Sequence, residues 1–304
     1  MVRAMTKALG EALLVGSGWT RVTRRAVRHR TMVLAYHNVV PDELAGRGDA
    51  SLHLPVSRFV QQLEWLSRTC QVVPLADLLR RRFTVWDGER PRVAITFDDA
   101  YRGALTLGLD CLTRRGMSAT VFVAPGLLDD RTPWWDGLAE GDGGRLDPAL
   151  RARVLGAGGG DDAARRLSRA GGWPSLPAFL RIATEEEMIL AARRPGVRVA
   201  SHTWGHRNLG ALDEEPAVQD LEAARSWLQE RVQETYLDVV SYPYGISGPT
   251  VRRLASEAGY DAGFSLGGGW VPQELEAERR LGLPRTNVPA GLSPYGLVLR
   301  VSRN

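Results

Sequence analysis

Short apolar runs that alternate with amphipathic segments constrain this sequence more than any other feature. Each run is about as long as one strand, and the runs lie at Met32–Tyr36, Val72–Val73, Arg92–Phe97, Ala119–Val123, Val197–Ala200 and Asp238–Ser241, with a last one near Phe264. An unbroken apolar run is typical of a strand covered on both faces, as in a parallel sheet. The repeated pattern of strand and helix therefore predicts an α/β fold with a parallel sheet or barrel.

The segments between these runs have the spacing of helices. They are predicted from Ser57 onward and at Pro74–Arg82, Tyr101–Arg115, Thr184–Arg193, Glu214–Gln233 and Thr250–Gly259. Ser57 is a suitable N-cap for the first helix, and Thr184 with Glu187 has the spacing of a capping box. Regularity is lost over residues 126–180, which we interpret as an insertion of loops and short helices on the substrate side.

Positive charge is concentrated at the N-terminus. Seven basic residues against Glu11 alone give residues 1–30 a charge of +6, which leaves −2 for the rest of a chain whose net charge is +4. A nucleic-acid footprint should lie on the folded surface, so the slightly acidic body argues against nucleic acid as a partner. We treat residues 1–30 as a basic tail whose charge suits peripheral contact with a membrane, and residues 31–304 as one catalytic domain.

The sequence favours a cytoplasmic location. No apolar stretch reaches the roughly 20 residues of a membrane-spanning helix. The N-terminal apolar core, Ala12–Val15, is shorter than the roughly 7 to 15 residues of a signal-peptide core. Cys70 and Cys111 form neither a CxxC motif nor a disulfide framework, and we interpret them as reduced thiols.

Two carboxylates stand side by side where an apolar run ends. Asp98 and Asp99 directly follow Arg92–Phe97. Aspartates also favour helix N-termini, so a helix start is the alternative interpretation. The position nevertheless favours function, because α/β enzymes assemble their sites at the carboxyl ends of parallel strands.

A pair of histidines follows another predicted strand. His202 and His206 come after Val197–Ala200, on a segment whose Gly205 favours a loop. A lone histidine is usually structural, whereas a pair at a strand end indicates metal ligation. Two imidazoles and one carboxylate leave coordination positions open for water and substrate. A metal held there would activate water, with the second carboxylate free as a base, which is the chemistry of hydrolysis.

A series of short motifs extends this pattern in order along residues 31–304. They are Tyr36-His37, Thr96-Phe97-Asp98-Asp99, Ala119–Val123, Ser201–His206, Tyr242-Pro243-Tyr244-Gly245, Gly259-Tyr260 and Leu283-Pro284-Arg285. In this order the chain resembles the polysaccharide deacetylase family, also called the NodB-homology or carbohydrate esterase family 4 group. The resemblance implies a distorted (β/α) barrel, here with the insertion, that removes acetyl groups from N-acetylated sugars or glycans with one divalent metal.

The resemblance also implies roles for individual residues. Asp98 would be the general base, Asp99, His202 and His206 would bind the metal, and Tyr244 would offer a backbone N–H to the oxyanion. Zinc is the expected metal, and cobalt, nickel and iron suit the same ligands.

The sequence departs from the familiar family pattern in two places. The residues before Pro243 include no arginine, and no histidine follows His206. Arg285 resembles the arginine that exopolysaccharide-processing relatives place near the base, and His37 resembles their early histidine. We therefore expect Arg285 to support the base and His37 to be the general acid, with His53 as the fallback acid.

Aromatic residues supply candidate sugar contacts. We expect Trp134, Trp135, Trp204 and Tyr242 to bind substrate, with Trp134, Trp135 and Asp136 bordering the cleft, although each ring is as well suited to plugging the barrel mouth. Serine hydrolases and nucleotide enzymes are disfavoured because their motifs are missing. Two other functions stay open, namely a catalytically impaired relative that binds a glycan or partner, and another metal-dependent amide hydrolase.

Overall fold

The computed structural model of the chain describes residues 11, 23, 25–80, 88–272 and 277–302. Nine strands within these residues form one parallel sheet. They are β1 Thr31–Tyr36, β4 Gln71–Val72, β5 Arg92–Phe97, β6 Ala119–Val123, β7 Val197–Ser201, β8 Tyr236–Ser241, β9 Ala262–Ser265, β10 Leu283–Pro284 and β11 Thr286–Asn287. A small second sheet pairs β2 Asn38–Val40 with β3 His53–Pro55 in parallel.

The last two strands close the main sheet into a barrel. The strand order is β10-β9-β8-β7-β6-β5-β1-β11, with β4 beside β5. Because only Arg285 separates β10 from β11, the two ends of this order meet in one stretch of chain. Leu283 pairs with Phe264 of β9, and Thr286 pairs with Leu34 of β1. The (β/α) barrel expected from the sequence is thereby confirmed.

Helices surround the barrel or belong to the insertion. They are α1 Val56–Thr69, α2 Leu75–Arg80, α3 Leu109–Thr113, α4 Trp134–Glu140, α5 Pro148–Gly156, α6 Asp161–Ser168, α7 Glu185–Ala192, α8 Glu214–Arg231, α9 Pro249–Glu257, α10 Ala277–Arg280 and α11 Pro294–Ser302. None of the helices in the described ranges is long and apolar enough to cross a membrane.

The barrel strands are apolar on both faces because each face is covered. Inward-pointing residues such as Val33, Ala94 and Phe122 form one buried cluster. Residues that alternate with them, such as Leu34 and Ile95, belong to the cluster beneath the outer helices. Burial on both sides explains why the strand sequences show no polar alternation.

Local structure differs from the sequence predictions at several helix ends. Helix α1 begins at Val56 after Pro55, so Ser57 lies inside the helix and is not its cap. The predicted helix 101–115 contains a π-helical turn at Ala104–Gly108 before α3. The capping box of Thr184 and Glu187 is present. Residues 81 and 82 of the predicted Pro74–Arg82 helix lie outside the described residues.

The N-terminal tail is described only in part. Val27 is fully buried, and Arg92 donates hydrogen bonds to the carbonyl oxygens of His29 and Arg30. The last residues of the predicted tail therefore pack against the barrel. Ala12–Val15 lies outside the described residues.

The insertion builds its own small core. Trp134, Trp135, Val154, Ala163 and Ala164 form a buried cluster from α4, α5 and α6. This segment follows β6, so it leaves the barrel at the end where parallel strands finish.

Candidate active site

The predicted polar residues gather at one end of the barrel. His37 follows β1, Asp98 and Asp99 follow β5, and His202 follows β7. Arg285 lies between β10 and β11. Since the strands are parallel, their carboxyl ends form one rim, and residues distant in sequence meet there.

Asp99, His202 and His206 form a compact buried group. One ligand atom from each residue lies within 4.8 Å of the others. Asp99 Oδ1 is 3.4 Å from His202 Nε2 and 3.0 Å from His206 Nε2. In the part of the chain that the structure describes, this is the one group of three such residues able to hold a metal ion.

A backbone carbonyl fixes the orientation of His202. The Nδ1 atom of His202 donates to the carbonyl oxygen of Ser241 at 2.6 Å, because a carbonyl oxygen can only accept. Burial lowers the pKa of His202 to about 4, so the ring is neutral near pH 7. The Nε2 lone pair therefore faces Asp99.

His206 is held by a different kind of contact. Its Nδ1 atom is buried and has no hydrogen-bond partner. Its ring packs against Trp135 and Tyr244, with ring centroids 4.7 Å away in each case. The preceding loop is fixed by Asp220, whose Oδ1 accepts from the backbone N–H of Trp204 at 2.8 Å.

These residues fit a divalent cation. Two acceptor atoms, His202 Nε2 and Asp99 Oδ1, face each other at 3.4 Å with no hydrogen between them. Asp99 Oδ1 is buried and accepts no hydrogen bond of ordinary geometry, although His206 Nε2 lies 3.0 Å away. A cation between them would compensate lone pairs that converge in a buried space. Imidazole and carboxylate groups are a common ligand set for zinc.

Asp98 is bound by a buried arginine. Arg285 is fully buried and donates from Nη1 to Asp98 Oδ1 at 2.6 Å and from Nη2 to Oδ2 at 2.7 Å. Arg285 also donates to Thr96 Oγ1 at 3.1 Å and to Ser241 Oγ at 2.5 Å. Burial raises the pKa of Asp98, but Arg285, through its charge and its hydrogen bonds, and the neighbouring His202 and His37 together outweigh this effect, and the pKa lies below its ordinary value. Asp98 is thus ionised beside Asp99, His202 and His206, the candidate metal-ligand group.

The two candidate acids lie in different surroundings. His37 is partly exposed at the rim, and its charge contributes to lowering the pKa of Asp98 and of Asp99. His53 is buried, with Nδ1 3.0 Å from Asn38 Nδ2 and Nε2 2.9 Å from Asp136 Oδ1. Because both ring nitrogens of His53 are occupied, its role as fallback acid does not fit the structure.

The insertion reaches this rim through α4. The Trp135 ring contacts His206, and Trp134 packs edge-on against Trp135 with centroids 5.6 Å apart. Both tryptophans are almost fully buried, and Asp136 is completely buried. Trp135 therefore borders His206 directly, whereas Trp134 and Asp136 are buried next to Trp135 on α4.

The remaining candidates divide between rim and core. Trp204 is 38% exposed and packs against Gly126, where any side chain would collide with its ring. Tyr244 adopts a positive φ of 60° and donates from its hydroxyl to the carbonyl oxygen of His206 at 3.2 Å. Tyr242 is fully buried, and its hydroxyl donates to the carbonyl oxygen of Leu281 at 2.9 Å.

The position of Tyr242 does not fit substrate binding. The Ser241 side chain points to Arg285 in the barrel mouth, and successive side chains of an extended segment point to opposite faces. Tyr242 therefore points outward into the core beneath α8 and α9.

Sequence reasoning missed Ser241 and Asp220 at this site, and it placed Asp136 at the cleft without indicating its partners. Ser241 orients both His202 and Arg285, Asp220 holds the loop between the histidines, and Asp136 binds His53 and Tyr101. Ser241 ends a predicted strand, which was the available signal for it. The partners of Asp136 lie 83 and 35 residues away in sequence, and no local pattern indicates them.

Comparison with known proteins shows the family of this chain. The family model described as "Polysaccharide deacetylase" matches residues 87–263, and the chain belongs to that family. Among proteins with curated descriptions, none matches this chain.

Solved structures share the fold at low sequence identity. A Streptococcus pyogenes deacetylase in complex with acetate is 17% identical, with a TM-score of 0.60 over 90% of this chain and 99% of that one. A polysaccharide deacetylase from Bacillus cereus is 13% identical, with a TM-score of 0.62 over 90% and 69%. A de-N-acetylase from Aggregatibacter actinomycetemcomitans is 18% identical, with a TM-score of 0.57 over 86% and 95%.

Proposed function

We propose that this protein removes N-acetyl groups from a GlcNAc-type sugar or glycan, with a divalent metal held by Asp99, His202 and His206. The observation that carries the proposal is the buried group of these three ligands directly beside the ion pair of Asp98 and Arg285. Zinc is the proposed metal, since neutral imidazole and carboxylate suit it, and cobalt, nickel or iron fit the same donors.

The metal would polarise the acetyl carbonyl and lower the pKa of an attacking water. The chain supplies the proton transfers. Asp98 is held ionised by Arg285 and takes the proton of the water as general base. His37, at the open side of the rim, gives a proton to the departing amine, which is a poor leaving group as an anion.

Two further groups complete the proposed site. The backbone N–H of Tyr244, in its positive-φ turn, is the proposed donor to the oxyanion. The exposed ring of Trp204 is the proposed platform for the sugar ring, because apolar faces of sugars pack on aromatic surfaces. Trp134 and Trp135 shape the wall of the cleft rather than offer open ring faces.

The test combines metal analysis with acetate release from chitooligosaccharides. We expect one divalent ion per chain, acetate release that stops when a chelator removes the ion, and recovery when zinc or cobalt is restored. Glycan binding without acetate release would contradict the enzymatic proposal and favour a binding protein. Cleavage of a cyclic amide, with no acetate released from the sugars, would instead favour another metal-dependent amide hydrolase.

A further inference from the structure

The two histidines of the metal-ligand group are oriented by different means. A histidine that binds a metal usually donates a hydrogen bond from its second ring nitrogen to an outer partner, and this bond fixes the orientation of the ring. His202 has such a partner in the carbonyl oxygen of Ser241. His206 has none, because its Nδ1 is buried without a hydrogen bond. Ring contacts must therefore orient His206.

Trp135 provides the more nearly parallel of these ring contacts. The Trp135 and His206 rings lie 4.7 Å apart at an interplanar angle of 42°, whereas Tyr244 meets His206 edge-on at 79°. The indole itself is fixed at its far side, where Nε1 donates to the hydroxyl of Tyr101 at 2.6 Å. Movement of the indole would break this buried hydrogen bond.

The Tyr101 hydroxyl is fixed in turn by Asp136. It donates to Asp136 Oδ2 at 2.6 Å. Asp136 Oδ1 accepts from the backbone N–H of Asp49 at 2.7 Å and from His53 Nε2 at 2.9 Å. The amide of Asn38 donates to His53 Nδ1 at 3.0 Å, so Nε2 carries the hydrogen. Each polar atom in this buried chain thus has a matched partner.

We propose that Asp136 is a positioning residue, which acts through Tyr101 and Trp135 to hold the His206 ring in its metal-binding orientation. The inference rests on the proposed metal site. It goes beyond the site residues because Asp136, Tyr101 and Trp135 neither bind the metal nor move a proton. It gives the insertion a role in metal binding, since Trp135 and Asp136 both belong to α4.

A purely structural role would only dock the insertion on the barrel. The two roles differ in what a single hydroxyl should change. Tyr101→Phe keeps the ring and removes the atom that joins Trp135 to Asp136. Tyr36→Phe is the matched control, because Tyr36 is equally buried and its hydroxyl bonds to Gln62 of α1.

The experiment measures zinc affinity by chelator competition and the visible absorption of the cobalt-loaded protein. Removal of an outer partner of a metal ligand typically costs 10- to 100-fold in affinity. We expect Tyr101→Phe to weaken zinc binding by about tenfold and to change the cobalt spectrum, with Tyr36→Phe matching the wild type. If Tyr101→Phe fails to fold, Trp135→Phe takes its place as the test. This variant keeps an aromatic face but loses the N–H, and it should likewise weaken zinc binding and change the cobalt spectrum.

The outcomes separate this inference from the proposed function. The positioning role would be overturned, while the metal site stood, if Tyr101→Phe and Trp135→Phe bound zinc as tightly as the wild type and showed the same cobalt spectrum. A wild-type protein that takes up no metal would overturn both.

Discussion

The candidate site has two sides that are built differently. The frame side, formed by Asp98, Asp99, His202, Ser241 and Arg285, stands on strand ends and is held by hydrogen bonds to charged groups and backbone. The insertion side, formed by Trp134, Trp135 and Asp136, is held by ring packing and one buried polar chain. Bidentate arginine–carboxylate contacts are among the strongest hydrogen bonds in proteins, whereas ring contacts define shape more than charge.

The two sides therefore contribute differently, since the frame side positions the proposed reacting groups and the insertion side shapes the space beside them. Groups on the frame side are fixed by strand register, so each faces a set partner across the barrel mouth. The insertion side packs as a separate hydrophobic cluster that borders the site. Substitutions on the frame side should therefore change the reaction most, and substitutions at the outer attachment of the insertion should change it least.

The largest effect is expected for Asp98→Asn. An amide cannot take a proton from water, and loss of a general base typically slows turnover by about 10² to 10⁴. Metal content should stay at the wild-type level, because Asp98 is not among the proposed ligands. Acetate release and metal analysis on the same preparation check this, and near wild-type turnover would remove Asp98 from the mechanism.

Arg285→Met should cost stability as well as activity. It leaves the Asp98 carboxylate buried without its cation, and breaking a buried ion pair from one side costs about 3–5 kcal/mol. In the double variant with Asp98→Asn the uncompensated charge is gone, so part of the loss should return. Denaturant unfolding of the four proteins measures this, and equal losses in the single and double variants would contradict a dominant ion pair.

The frame was largely predictable from the sequence, because parallel strands bring their carboxyl ends to one rim. Asp98, Asp99, His202 and His206 were located by the apolar runs before them. Arg285 was identified through resemblance alone. Its flanking strands β10 and β11 have two residues each, too few to show a periodicity, yet they close the barrel.

The insertion side was predictable only as a location. The tryptophans were expected at the cleft, but their burial follows from packing among three helices that no local pattern specifies. The expectation for Tyr242 failed for a geometric reason, since side-chain alternation after β8 turns Ser241 inward and Tyr242 outward.

His37→Ala tests the group at the open part of the rim. Loss of the proton donor to the leaving amine should slow deacetylation by about 10² while metal and fold are retained. A substrate with a more acidic leaving group should be affected less, because it departs without full protonation. His53→Ala is no substitute test, since it would also disrupt the Asp136 chain. Unchanged activity in His37→Ala would remove His37 from the mechanism.

The smallest effect is expected where the outer edge of the insertion is tied to the barrel. Arg102 lies between Glu187 of α7 and Asp130 of the insertion, with N–O distances of 2.7 Å to each. The side chain of Glu187 is 39% exposed, so solvent screens the pair and Glu187→Gln should cost less than about 1 kcal/mol. Glutamine still suits the capping box with Thr184, and the substitution therefore isolates the charge.

The pKa of Glu187 predicts how the stabilisation by this contact changes with pH. Burial raises the pKa of Glu187, but the hydrogen bonds and charge of Arg102 and the hydrogen bonds with Thr184 together outweigh this effect, and the pKa lies below the ordinary value of 4.5. A lowered pKa in the folded state means that the stabilisation is present above pH 4.5 and is lost as the pH falls through the folded-state pKa. The difference in unfolding free energy between wild type and Glu187→Gln should therefore shrink in acid.

Glu186→Gln, an equal charge change at an exposed position in the same turn, is the control and should show no such loss. A difference of several kcal/mol, or one independent of pH, would contradict a weak, solvent-screened contact between Arg102 and Glu187.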